Sequence, residues 1–287
     1  MRENWDDLRF VLAVAEEGSV SAAARRLGVN HATVLRRITA CEAALGLQIF
    51  ERSGQGYTLP EAQRPILEAT REVERAIQAV RRAVQGLTSP LSGEVRVTAT
   101  DSFCQCVLAP MSGKLHAAEP GLRLVLLSSN AHLDLGRIHA EVAVRPALRL
   151  PEELAGEIAA RLGFGLFRAR GSEVTGWLGL AGTLANSVAG RWQESAVPAE
   201  EITLKADSFL VLRELCAAGQ GKALLPLFLG AADARLERVR PGPPPLEAPV
   251  WVACHADMTA VPRIARVREL LVRALGEIGP LLQHGSG

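Results

Sequence analysis

The sequence holds little that would support catalysis, metal binding or membrane insertion. Its six histidines, at 31, 116, 132, 139, 255 and 284, show no ligand spacing of the His-Glu-x-x-His kind, so no metal site is expected. No Gly-x-Ser-x-Gly elbow occurs, and no catalytic constellation recommends an enzyme. The fragment GQGK at 219–222 lacks the earlier glycine of a phosphate loop, Cys216 standing there, and lacks the following Ser or Thr, so it reads as a helix-ending turn. Five cysteines, at 41, 104, 106, 216 and 254, are odd in number and sit in unrelated contexts, which argues against a disulfide framework and for a reducing compartment. No apolar run reaches membrane-spanning length and the chain opens on charged residues, so a soluble cytoplasmic protein is expected. A net charge of only +1 excludes a uniformly basic coat.

What is present is size, apolar content and segregated charge. A chain of 287 residues with 48% hydrophobic content supports two or more domains with real cores. Residues 1–19 set two arginines against five acids, a net −3, while residues 20–60 set five arginines against two acids, a net +3. That reversal centres on residues 19–45, SVSAAARRLGVNHATVLRRITACEAAL.

Within this stretch Ala24, Gly28, Val34 and Ile38 follow at intervals of four, six and four, which is helix-turn-helix spacing. Ala23, Ala24 and Leu27 give the first helix a face that another helix can approach closely, with Ser19 or Ser21 to cap it. Gly28 ends it, since the position past a helix end often needs a positive φ. Asn30 can cap the second helix, on which Val34, Ile38, Cys41 and Leu45 form one inward apolar stripe. The remaining faces present His31, Ala32, Thr33, Arg36 and Arg37. The N-terminal end of such a helix reaches base edges in the major groove while flanking arginines hold phosphates. Ser21, Asn30, His31, Ala32, Thr33, Arg36 and Arg37 are therefore candidate DNA contacts, with solvated surface arginines as the plainer alternative.

Around this pair, residues 4–17 carry Trp5, Leu8, Phe10, Val11, Leu12 and Val14, a helix that packs beneath it and ends at Gly18. The stretch GLQIFERSGQGYTLP reads as a β-wing turning at Gln55 and Gly56, on which Arg52 either reaches a phosphate or minor groove or is merely solvated. Thr58, Leu59, Pro60 and Glu61 form a capping box that starts a long helix, kinked early at Pro65. Ile66, Thr70, Val73, Ile77, Val80, Val84 and Leu87 alternate gaps of four and three, a heptad seam about three heptads long. Such a seam wants a partner, so Ile66, Val73, Ile77, Val80 and Val84 are candidate dimerisation residues.

The turn-rich LTSPLSG, 87–93, opens a second region. EVRVTAT, LRLVLLSS, EVAVR, residues 163–168, ITLKADS, KALLPLFL and PVWVACH read as strands or contain them. Between them lie a helical stretch from Asp101 interrupted near Pro110, a helix at 131–138, the helix FLVLRELCAAG and the closing helix VPRIARVRELLVRALGEI. This alternation means an α/β sheet. Residues 241–249 read as a loop and QHGSG, 283–287, as disordered.

The run WDDLRFVLAVAEEGSVSAAARRLGVNHATVLRRITACEAALGLQIFERSGQGYTL, followed by GEVRVTAT, VLAP, SSNAHLDLGRIHAEVAVR and AAGQGKALLP, resembles the LysR-type transcriptional regulators over nearly the whole chain. The resemblance implies an α+β multidomain fold. A winged helix-turn-helix at 1–59 leads into a coiled-coil linker helix at 60–91 and a periplasmic-binding-protein-like α/β effector module at 92–287. That module would divide into a first subdomain of about 92–160 plus 259–287 and a second of about 161–258, with a small-molecule cleft between them. It further implies a homodimer, commonly a homotetramer, that binds double-stranded promoter DNA at interrupted inverted repeats and touches RNA polymerase indirectly. No cofactor is expected beyond an unidentified small-molecule effector. Family members commonly carry Ser-Gln-Pro where this chain has Asn30, His31 and Ala32, a serine where it has Leu35, and an aspartate where it has Glu141. His31 can bond a base edge, and Ala32 or the Thr33 methyl can meet a thymine methyl.

Open α/β sheets bind ligands beyond the carboxyl ends of their strands. Thr100, Ser102, Ser128, Ser129, Asn130, Arg145, Asp207 and Ser208 occupy such positions and are candidate effector contacts, or else simple caps and turn residues. Arg145 could instead be tied up by Glu141 or another acid. Cys104 and Cys106 would point about 200° apart on a helix and cannot chelate one ion together, so they read as packed thiols. Two other functional readings stay open: an enzyme built on the α/β region, and a DNA-bound structural protein that needs no ligand.

Overall fold

A computed structural model describes residues 5–53, 56–87, 91–131, 135 and 140–285, with the backbone alone at 5, 52, 53, 56, 75, 78, 79 and 81–87. The helix expected at 131–138 and the turn at Gln55 lie outside these residues. Contacts divide the chain into two units, 1–81 and 82–287.

In the first unit α1 (Trp5–Glu17), α2 (Val20–Leu27) and α3 (His31–Leu45) close around Phe10, Val11, Ala13, Val14, Val20, Ala23, Ala24, Val34, Ile38 and Cys41. Of the two possible serines, Ser19 caps α2, its hydroxyl accepting the Ala22 N–H at 3.2 Å. Gly28 leaves the helix at φ 66°, and Val29 N–H returns to the Ala24 carbonyl at 3.1 Å, so the last turn is satisfied at a position where L side chains are strained. Leu45 departs from the expected inward stripe: it is 44% exposed, because the core ends at Cys41 and α3 stops one turn later at Gly46. Beyond it the Glu42 carboxylate accepts Ile49 N–H at 2.9 Å and Phe50 N–H at 3.2 Å, steering the chain into the hairpin of β1 (Glu51–Ser53) and β2 (Gly56–Thr58).

The long helix starts later than its capping box suggests. Glu61–Gln63 form a 3₁₀ turn, and α4 spans Arg64–Leu87. Pro65 therefore sits in the first turn of α4, where the missing N–H has no partner to lose, and it makes no mid-helix kink. Thr70 is buried, its hydroxyl bonded to the Ile66 carbonyl at 2.7 Å, while Ile77 and Val80 are 42% and 65% exposed. The side chain of Val84 lies outside the described residues.

The second unit is built on one sheet in the order β10-β6-β11-β5-β3-β4, with β9 also on β6: β3 (Gly93–Ala99), β4 (Leu122–Ser128), β5 (Val142–Pro146), β6 (Leu154–Ala169), β9 (Ala223–Pro226), β10 (Leu236–Arg238) and β11 (Leu246–His255). Parallel β3, β4 and β5 make one half; β7 (Trp177–Leu180) and β8 (Ile202–Ala206) pair in the other. The two long antiparallel strands β6 and β11 run through both halves, with a register shift between Val250 and Trp251. Strand β6 is far longer than the expected 163–168, because Gly156 and Gly163 mask its pattern. Each is glycine where a Cβ would collide, at 2.8 Å from the Ala253 Cβ and 2.2 Å from the Gln283 carbonyl oxygen respectively. Likewise Leu246–Pro249, expected in a loop, belong to β11.

After β3 the chain turns helically at Asp101–Phe103, widens into a π-turn at Cys104–Leu108 and continues as α5 (Ala109–Ala118). The interruption expected near Pro110 is this π-turn, whose looser bonding absorbs the absent proline N–H. Helices α6 (Val188–Ala196), α7 (Phe209–Ala217), α8 (Leu227–Gly230) and α9 (Pro262–Glu277) cover the sheet. The tail is ordered through α10 (Gly279–His284), whose Leu282 is fully buried, which corrects the expected disorder of Gln283 and His284.

On the surface, Arg235 grips Glu214 of α7 through two bonds at 2.9 and 3.0 Å and Asp233 at 2.6 Å. These contacts hold both carboxyls below their ordinary values, Arg235 being the main cause. A carboxylate whose folded pKa is depressed contributes stability above its unfolded pKa and loses it as pH falls through the folded value. Arg235→Ala is therefore expected to lower the denaturant midpoint at neutral pH and to lose that deficit below about pH 4. A deficit that persists undiminished at low pH would mean the arginine acts by packing.

Candidate DNA-reading face and effector cleft

The outer face of α3 shows what can reach a duplex. His31, Ala32, Arg36, Thr39 and Ala40 are exposed, Thr33 and Leu35 half-buried. Asn30 is occupied as a cap, its side-chain oxygen accepting the Thr33 N–H at 2.8 Å, and Ser21 is exposed on α2. Arg36 and Arg37 part company here. Arg37 points back into the domain, bonded to the buried Asp7 carboxylate at 2.8 Å and with its Cζ 5.8 Å from the Phe10 ring centroid. Arg26 is likewise held by Glu16 at 2.6 Å and Glu17 at 3.4 Å. The acidic first segment thus takes up part of the basic one, and Arg36 and the exposed Arg25 are the arginines of α2 and α3 not engaged this way. The side chain of Arg52 lies outside the described residues.

In the second unit a cavity of about 710 Å³ opens where both halves meet. Of the eight candidate residues, Thr100, Ser102, Asn130 and Arg145 line it; Ser128, Ser129, Asp207 and Ser208 do not. Ser208 instead caps α7, accepting Val211 N–H at 3.3 Å, and the Ser129 hydroxyl accepts Ala131 N–H at 3.2 Å. The hub of the rim is Asp101, which sequence reasoning missed. One carboxylate oxygen accepts Ser102 N–H at 2.6 Å and the other the Ser208 hydroxyl across the cleft. Asn130 accepts Asp101 N–H at 3.1 Å, donates to the Asp207 carbonyl at 3.2 Å, and its own carbonyl accepts the Thr183 hydroxyl.

The walls were also missed. Phe103, Leu162, Phe164, Leu184 and Phe209 supply apolar surface, and Thr183, Asn186, Ser187 and Arg191 enter from the turn before α6 and its first residues. The segment GTLANSVAGR follows the carboxyl end of β7, a four-residue strand that was not expected; its one local cue is Ser187, the N-cap that accepts Gly190 N–H at 3.0 Å.

Arg145 is 6% exposed. It donates to the Ala131 carbonyl at 3.2 Å and the Thr98 hydroxyl at 3.3 Å, and its Nε has no partner among the described residues. Glu141, its expected partner in sequence, is turned away, bonded to Arg263 at 2.6 Å and to the Arg96 N–H at 3.0 Å. Burial accordingly pulls the Arg145 guanidinium below its ordinary pKa. Cys104 and Cys106 lie in the π-turn after Phe103, half-buried, and burial raises both thiols, which keeps them protonated and poor nucleophiles. At 219–222, Gly219 at φ 76° ends α7, and Lys222 lies 4.8 Å from the Trp177 ring centroid.

Residues 5–62 match the family described as bacterial regulatory helix-turn-helix protein, lysR family, and residues 178–276 match the LysR substrate binding domain. The chain is 28% identical over 267 residues to the Mau operon transcriptional activator of Paracoccus denitrificans, covering 92% of this chain and 94% of that one. Its fold is similar to a full-length OxyR variant from Pseudomonas aeruginosa, with a TM-score of 0.58, 20% identity and coverage of 96% and 95%. It is also similar to full-length CbnR, solved in complex with its target DNA, with a TM-score of 0.51, 20% identity and coverage of 95% and 99%.

Proposed function

Because this chain belongs to the LysR family of bacterial transcriptional regulators, we propose that it acts in the cytoplasm as a dimer, or a dimer of dimers, whose grip on promoter DNA is set by a small molecule bound in the cleft of the second unit. The chain is a DNA-binding regulator with an effector-binding domain. Two copies pair along the α4 seam, where exposed Ile77 and Val80 continue the stripe begun by Ile66 and Val73. Each copy presents His31, Ala32, Thr33 and Arg36 to one half of an interrupted inverted repeat, and RNA polymerase is engaged indirectly.

One observation carries the regulatory part. A single cavity takes side chains from both halves of the second unit, and its rim bonds, Asp101 to Ser208, Asn130 to Asp207 and Thr183 to Asn130, cross between those halves. A ligand seated there interacts differently with open and closed arrangements, which is the condition for shifting an equilibrium between them. Binding of the full-length protein to its promoter fragment tests the DNA part. Affinity should fall with salt, the logarithmic slope being about −0.9 per phosphate contact, and should exceed that for random DNA by roughly a thousandfold or more. Binding that ignores salt or sequence would contradict it.

A further inference from the structure

Among the described residues lining the cleft three are arginines, Arg145, Arg149 and Arg191, and none is an aspartate or glutamate. The three differ in kind. Arg149 and Arg191 are exposed and their charge is screened by water, whereas Arg145 is buried on β5 without a carboxylate within ion-pair distance among the described residues. A buried charge is ordinarily paired, because leaving it uncompensated is costly. Both of its acceptors, the Ala131 carbonyl and the Thr98 hydroxyl, are neutral, and two of its five N–H groups are thereby used. The Nε proton has no acceptor among the described residues, and the same side chain lines the cavity. The aromatic rings of Phe103, Phe164 and Phe209 line the same cavity.

Resting on the cleft as effector site, we propose that the effector is an organic monoanion, a carboxylic acid with a compact apolar body, whose carboxylate accepts from the Arg145 guanidinium while its body packs on those rings. One buried positive charge balances one negative charge; a dianion such as phosphate would bring a second charge that no second buried cation meets among the described lining residues. A guanidinium offers N–H pairs in a plane, the geometry that a carboxylate matches with two oxygens.

The test uses the full-length protein and matched pairs: benzoate with benzamide, phenylacetate with phenylacetamide, hexanoate with hexanamide, and inorganic phosphate alongside. Thermal stabilisation and tryptophan fluorescence titration report binding, since Trp192 follows Arg191 on α6. At least one acid should bind while its amide does not. Arg145→Gln should weaken that acid by about tenfold or more, the worth of a charge-assisted bond, with Arg145→Lys retaining part of the affinity. Asn186→Trp, at an exposed position on the cleft wall, should block it sterically, and serves if Arg145→Gln fails to fold. Amides or phosphate binding as well as the acids, acids binding Arg145→Gln undiminished while Asn186→Trp blocks them, or no acid binding at all would overturn the assignment of class. An acid that binds both Arg145→Gln and Asn186→Trp undiminished sits elsewhere, and then the cleft reading falls with it.

Discussion

Arg36→Ala and Arg37→Ala should each cost this protein its operator, by different routes that one pair of measurements separates. Arg36 is exposed and its substitution leaves the domain's core untouched, so the melting temperature should not move. Two half-sites lose one contact each, and operator affinity should drop by about a hundredfold, taking about 1–3 kcal/mol per base contact or a reduced salt slope if the partner is a phosphate. Arg37 sits on the same helix but pairs with Asp7, whose side chain is 9% exposed. Removing it strands a buried carboxylate. The full penalty for breaking a buried pair is discounted because Arg37 itself is 33% exposed, leaving a loss of about 1–3 kcal/mol. Arg37→Ala should therefore lower the unfolding transition of the DNA-binding unit by several degrees, and Asp7→Asn should do the same. Equal stability in the two arginine variants would mean the Asp7 contact contributes nothing.

The second large effect belongs to the linker helix. Ile77→Asp with Val80→Asp places two like charges on the α4 seam at positions that are already 42% and 65% exposed within one chain. The chain's own core should be indifferent to that change. Pairing, in contrast, loses the burial of two β-branched side chains per copy, each worth about 1.5–3 kcal/mol, and gains repulsion across the interface. Sedimentation should show monomers at micromolar concentration. Because two tethered reading heads bind with an effective concentration that single heads lack, operator affinity should fall by about a hundredfold or more. A variant that stays dimeric would move the interface away from this seam.

These expectations show where residue patterns were informative. Helix-turn-helix architecture was legible because its determinants are local: a cap at Ser19, a left-handed glycine at 28, a cap at Asn30, and apolar residues at helical spacing. The roles of Arg36 and Arg37 were not, since the two are adjacent in sequence and only the fold brings Asp7, thirty positions away, to one of them. Strand β6 was half hidden by glycines whose purpose, admitting Ala253 and Gln283 at close range, is tertiary. In the cleft, the residues that follow β3 and β4 could be anticipated from the rule that ligands sit at strand ends. Those arriving from 183–191 also follow a strand, β7, but its four residues are too few to show a strand pattern in the sequence. Arg145 was anticipated as a site residue, but its lack of an acidic partner became visible only when Glu141 was found bonded to Arg263.

If DNA occupancy answers to the cleft, a single footprint will show it. The full-length protein is placed on the DNA upstream of its own coding sequence, with and without an acid that stabilises it, and with Asn186→Trp as the blocked control. The acid should change the length or spacing of the protected segment for the native chain and leave that of Asn186→Trp unchanged. Identical footprints with saturating ligand bound, or an equal change in the blocked variant, would contradict it.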